Sequence, residues 1–95
     1  MDPVIQVFAS SGKAVAQALF AIELQWPSTT PNVFYEEAWT ASLDAIKEGV
    51  REALVEKGVQ DEKTIHGAIT IAQHAFFDRF DALNAAWMAE KAGSA

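Results

Sequence analysis

The sequence predicts an all-α fold, an antiparallel bundle of three long helices, and three observations point to it. Apolar residues recur at steps of three and four along most of the 95 residues, the signature of helices with one buried stripe. Only two stretches are rich enough in Pro, Gly and hydroxyl residues to break a helix, and both are short, so successive helices must pack as antiparallel neighbours. The two-residue alternation of a half-buried strand is absent. A chain of this size is a single domain, residues 1–95, and buries roughly two-thirds of its extended surface.

Asp2-Pro3 opens the first helix, since proline's fixed φ and missing N–H suit a first turn. Ile5, Phe8, Gly12, Val15, Leu19, Ile22 and Trp26 then form an a/d seam, which places the helix at about 3–26. "WPSTTPN" breaks it, and Thr30-Pro31 repeats the opening signature for a second helix over about 31–57, whose stripe is Tyr35, Trp39, Leu43, Ile46, Val50 and Leu54. Gly58 suits the left-handed residue that closes a helix, and Asp61 the cap of a third, about 61–91. That helix carries Ile65, Ile69, Ala72, Phe76, Phe80, Leu83 and Trp87 on one face. Ala68, Ala75, Ala82 and Ala89 recur every seven residues beside it, and Ala9/Ala16, Ser11/Ala18 and Ala14/Ala21 do the same on the first helix. Such rows are expected to bring backbones close, with Gly12 at the contact.

Apolar side chains remain that two neighbouring helices cannot cover. Val4, Val7, Phe20 and Leu24 lie off the first seam, and Ile71, Phe77 and Met88 off the third. They are the candidate interface residues of a homodimer that pairs two bundles into a larger one, with the third helix as the first choice of face and the first helix as the second.

Charge and composition exclude several classes. Hydrophobic residues make up 51% of the chain and the net charge is −6, which favours a folded domain and disfavours direct contact with nucleic acid or an anionic membrane. Lacking cysteine, the chain has no disulfide, thiolate metal site or cysteine nucleophile. MDPVIQVF has no basic n-region, and Lys13 and Glu23 interrupt the only long apolar run, so a soluble cytoplasmic protein is expected. Eight acids and four bases between residues 36 and 63 concentrate the charge on the second helix. Asp44, Glu48, Glu52 and Glu56, four residues apart, form an acidic strip suited to docking a protein with a basic surface.

The strongest hint of chemistry is "HGAITIAQHAFFDRF", where His66, Thr70, His74 and Asp78 follow one another at steps of four. Imidazoles and a carboxylate are suitable metal ligands. Yet His66 and His74 are ~12 Å apart along the axis, too far to share one ion. The Glu-x-x-His pairs of di-iron bundles are missing, since Lys63 and Ile71 stand three residues before the two histidines. "SSGKA" lacks the first glycine and the strand of a phosphate loop, Val7 occupying the glycine position. Ser10 or Ser11 with His74 and Asp78 has no nucleophile elbow to organise it.

No enzyme and no cofactor are therefore expected. The leading expectation is a non-enzymatic interaction or assembly module, a small adaptor or regulatory subunit that self-associates. One alternative is an acidic inhibitor that occupies the basic groove of a nucleic-acid-binding protein, its carboxylate steps of ~6 Å comparable with phosphate spacing. Another is a small-molecule or metal site at a subunit interface, lined by Trp26, Trp39, Trp87 and Tyr35.

Overall fold

The computed structural model describes residues 3–94, with no side-chain description for Val4 and Ser94. Three helices, α1 (Pro3–Glu23), α2 (Asn32–Glu56) and α3 (Glu62–Ser94), make up the fold, with no strand among the described residues. They run up, down and up. Phe20 of α1 meets Phe80 of α3, and Gly12 lies against Ala72 and Phe76, so α1 and α3 are parallel. Trp39 meets Phe76 and Phe80, and Arg51 meets Glu62, so α2 runs opposite to α3. The bundle is flattened, with extents of 52 × 30 × 16 Å.

The helix ends differ from the expected ones for local reasons. Helix α1 stops at Glu23, three residues early. The Gln25 and Trp26 amides donate to the carbonyls of Ile22 and Glu23, three residues back, which tightens the last turn before Pro27. The residue before a proline is sterically pushed out of the α region. Thr30 does not cap α2. Its hydroxyl donates to the Pro27 carbonyl at 2.7 Å, and the helix starts after Pro31, which lacks a side-chain cap bond.

The turn between α2 and α3 follows the sequence, whereas α3 continues to Ser94, past the expected end at about 91, and Asp2 lies outside the described residues. Gly58, at φ 86°, closes α2. The Val59 amide donates to Leu54 and the Gly58 amide to Val55, the paired bonds of a Schellman motif. Asp61 caps α3, its carboxylate accepting from the Thr64 amide at 3.3 Å and the Thr64 hydroxyl at 2.6 Å.

The core is built mainly by the predicted stripes of α2 and α3. Ile46, Val50 and Leu54 are buried against Ile65, Ala68, Ile69, Ala72, Phe76 and Phe80, with Ala16 and Leu19 from α1. Trp39 adds edge-to-face contacts with Phe76 (5.0 Å) and Phe80 (4.7 Å), geometry that favours the ring quadrupoles.

Helix α1 departs most from expectation. Of its predicted seam, Gly12 and Leu19 are buried, but Ile5 and Ile22 are exposed. Its inner face is the small row Gly12–Ala16, which lets the α1 backbone approach that of α3. On α3 the seven-residue alanine row is buried at Ala68, partly buried at Ala75 and exposed at Ala82 and Ala89. A strict heptad drifts ~20° per repeat around a straight helix, which carries the row out of the contact.

Candidate functional site

Of the surfaces left open by this packing, two border α1. The first is a groove between α1 and α2 of about 350 Å³, lined by Val7, Phe8, Ser11, Ala14 and Val15 on one side and Ala45, Ile46, Gly49, Val50 and Ala53 on the other. Its α2 wall is a row of small residues four apart, Ala45, Gly49 and Ala53, and a Cβ added at Gly49 would meet nothing within 4 Å. Its α1 wall continues outward. Val7, Ser11, Ala14, Ala18 and Ile22 are all exposed and, spaced by four, three, four and four, form one uncharged stripe. Ser11, Ala14, Ala18 and Ala21, read from sequence as backbone-contact positions, thus lie on the open surface; only Ala9 and Ala16 of those pairs turn inward.

Helix α1 is the most apolar element, and like α2 it keeps most of its residues exposed. Over Ile5–Glu23 its mean hydropathy is 1.3, long and apolar enough by length and composition to cross a membrane despite Lys13 and Glu23, and 22% of that segment is buried.

The second surface is a cleft of about 230 Å³ where α1 ends, lined by Phe20, Glu23, Leu24, Tyr35, Phe80, Asn84 and Trp87. Trp26 packs on Tyr35 at 5.0 Å, so three of the four aromatics expected to line a pocket gather here. Trp39 belongs instead to the Phe76, Phe77 and Phe80 cluster. Oε1 of Glu23 is buried without a hydrogen-bond partner, and burial pushes this carboxyl above its ordinary value. Sequence reading registered Glu23 only as a break in an apolar run.

The predicted interface residues are scattered. Val7 is 62% exposed and Leu24 49%, whereas Phe20 packs edge-on against Phe80 at 5.7 Å and belongs to the core margin. Val4 lies outside the described side chains. On α3, Phe77 stacks one face on Trp39 at 5.5 Å and stays 40% exposed. Ile71 is partly buried and Met88 exposed. Eleven residues of helix rotation put Met88 within ~20° of Phe77, so these two share an exposed face, whereas Ile71 lies ~120° from Phe77.

Asp44, Glu48, Glu52 and Glu56 are exposed along α2. Next to them Arg51 pairs with Glu62 at 2.8 Å, which holds the Glu62 carboxyl below its ordinary value. His66, Thr70, His74 and Asp78 are also exposed, and the Thr70 hydroxyl donates to the His66 carbonyl. Among the described residues no group of three or more His, Cys, Asp or Glu side chains is placed to hold a metal ion.

Fold and surfaces together define a small all-helical bundle with an open groove between α1 and α2. No protein-family model, curated protein or solved structure matches this chain.

Proposed function

We propose that this chain is a non-enzymatic assembly module that pairs with a second copy of itself through α1. The observation that carries the reading is the uncharged stripe Val7, Ser11, Ala14, Ala18 and Ile22 beside the open α1–α2 groove. Contiguous exposed apolar surface is a mark of interfaces, and small side chains on both walls allow a helix to approach closely. Charge selects the occupant. Helix α2 carries six acids and two bases, whereas the stripe on α1 carries none. Two copies therefore repel if they meet through the α2 acids, which favours a contact centred on the uncharged stripe of α1.

Light scattering on purified protein tests this. The expected result is a dimer with a micromolar dissociation constant, converted to folded monomer by Val7→Glu and left intact by Met88→Glu on α3. Wild-type monomer, or monomer that co-sediments with neutral lipid vesicles, would overturn the reading.

A further inference from the structure

The cleft at the end of α1 places an acid where an isolated domain gains nothing from it. The final turn of a helix presents the negative end of its dipole, so a carboxylate there is repelled. Glu23 is the last residue of α1, and no basic residue stands in that turn. Its buried Oε1 accepts no hydrogen bond, although a buried acceptor without a donor is costly. A cation bearing N–H donors beside this carboxylate offsets both penalties.

The walls suit the rest of such a molecule. Phe20, Phe80, Tyr35 and Trp87 supply aromatic surface around the carboxylate, and electron-rich ring faces attract ammonium groups. Trp87 already does so within the chain, with Lys91 Nζ 4.4 Å from its ring centroid. At about 230 Å³, the cleft is smaller than the ~300 Å³ at which drug-sized sites begin. A metal ion fits poorly: the lining offers one carboxylate and the Asn84 amide, far short of the six to eight oxygens that calcium takes.

We propose that this cleft binds a compact organic ammonium, a primary amine on a short aryl or alkyl tail, with the ammonium donating to the Glu23 carboxylate and the tail lying among Phe20, Phe80 and Trp87. A quaternary ammonium does not satisfy the site, because it has no N–H to give the carboxylate. The cleft is at the C-terminal end of α1, and the groove is lined by the part of α1 from Val7 to Val15. The two proposals therefore fail separately, and the Val7→Glu variant should bind amine as well as the wild type does.

The experiment is an NMR titration of the 15N-labelled full chain with phenethylammonium chloride up to ~10 mM, the range of weak millimolar binding. The Trp87 indole and Asn84 side-chain amide signals should shift saturably. Glu23→Gln should weaken binding at least ~tenfold, as should replacing the probe with neutral 2-phenylethanol, ~1.4 kcal/mol in each case. Tetramethylammonium should give no saturable shift. Equal binding of the alcohol, unchanged binding to Glu23→Gln, or absence of saturation with phenethylammonium would overturn the proposal. Glu23→Gln is conservative enough to keep the fold, and helical circular dichroism of the variant checks that it does.

Discussion

A Cβ placed on Gly12 would land on the carbonyl oxygen of Ala72, and would also come within 2.9 Å of the Ala72 carbonyl carbon and 3.0 Å of the Phe76 amide nitrogen. These are backbone atoms of α3, which no side-chain rotation can move aside. Gly12 is thus the point at which α1 and α3 touch, and its usual cost in a helix is offset by the contact it allows.

Gly12→Ala should accordingly destabilise the fold, against the ~0.5–1 kcal/mol gain normal for this exchange in a helix. Gly12→Leu should cost ~1–3 kcal/mol or more through overpacking. Gly49→Ala is the control. Its Cβ meets nothing within 4 Å, so it should gain the ordinary amount, and paired urea unfolding curves should move in opposite directions.

Much of the bundle was legible because α2 and the first two-thirds of α3 obey one rule: each large apolar residue at helical spacing faces the core. Helix α1 breaks it. The seam read from the sequence put Gly12 at the contact, where it lies, but it also included Ile5 and Ile22, and turning the small face Gly12–Ala16 inward leaves both of these exposed. The turn and cap at Gly58 and Asp61 were readable because their chemistry is local. Thr30 was not, since its hydroxyl has two acceptable partners and the pattern does not rank them. The cleft was half readable: Tyr35, Trp26 and Trp87 stood out as aromatics, whereas the burial of Glu23 depends on Phe80, Asn84 and Trp87, too distant in the chain for any local pattern to reveal.

Phe76 is fully buried and packs against Trp39, Phe77 and Phe80. Phe76→Ala should remove ~3–5 kcal/mol, a large share of the ~5–15 kcal/mol available to a small domain. Loss of the cooperative thermal transition, or a fall in its midpoint of well over ten degrees, is the expected outcome by circular dichroism.

Acid should act on stability with two signs. Asp61 is held below its ordinary value chiefly by the Thr64 hydroxyl, and Glu62 chiefly by its bond from Arg51. Their folded values lie below the unfolded ones, so the stability they contribute is present above the ordinary carboxylate range and is lost as pH falls through the folded values. Asp61→Ala should lower the melting temperature near neutrality, and the difference from wild type should shrink in acid. Glu23 runs the other way, its carboxyl raised by burial. Its folded value lies above the unfolded one, so ionisation opposes folding near neutrality and the penalty fades as pH drops through that value. Glu23→Gln should stabilise at pH 7 by less than ~1 kcal/mol, given solvent screening of a partly exposed group, and should make no difference in strong acid.

The central claim is that the uncharged stripe of α1 joins two copies of the chain, and mass measurement by light scattering across a concentration series tests it most directly. Wild type should change from monomer to dimer around micromolar concentration, a free energy of ~8 kcal/mol. Val7→Glu should stay monomeric at concentrations at least ~100-fold higher while keeping its helical circular dichroism, because Val7 is 62% exposed in the single chain and a charge there costs the fold little. A wild-type protein that remains monomeric throughout, or a Val7→Glu variant that dimerises as readily as wild type, would contradict the account.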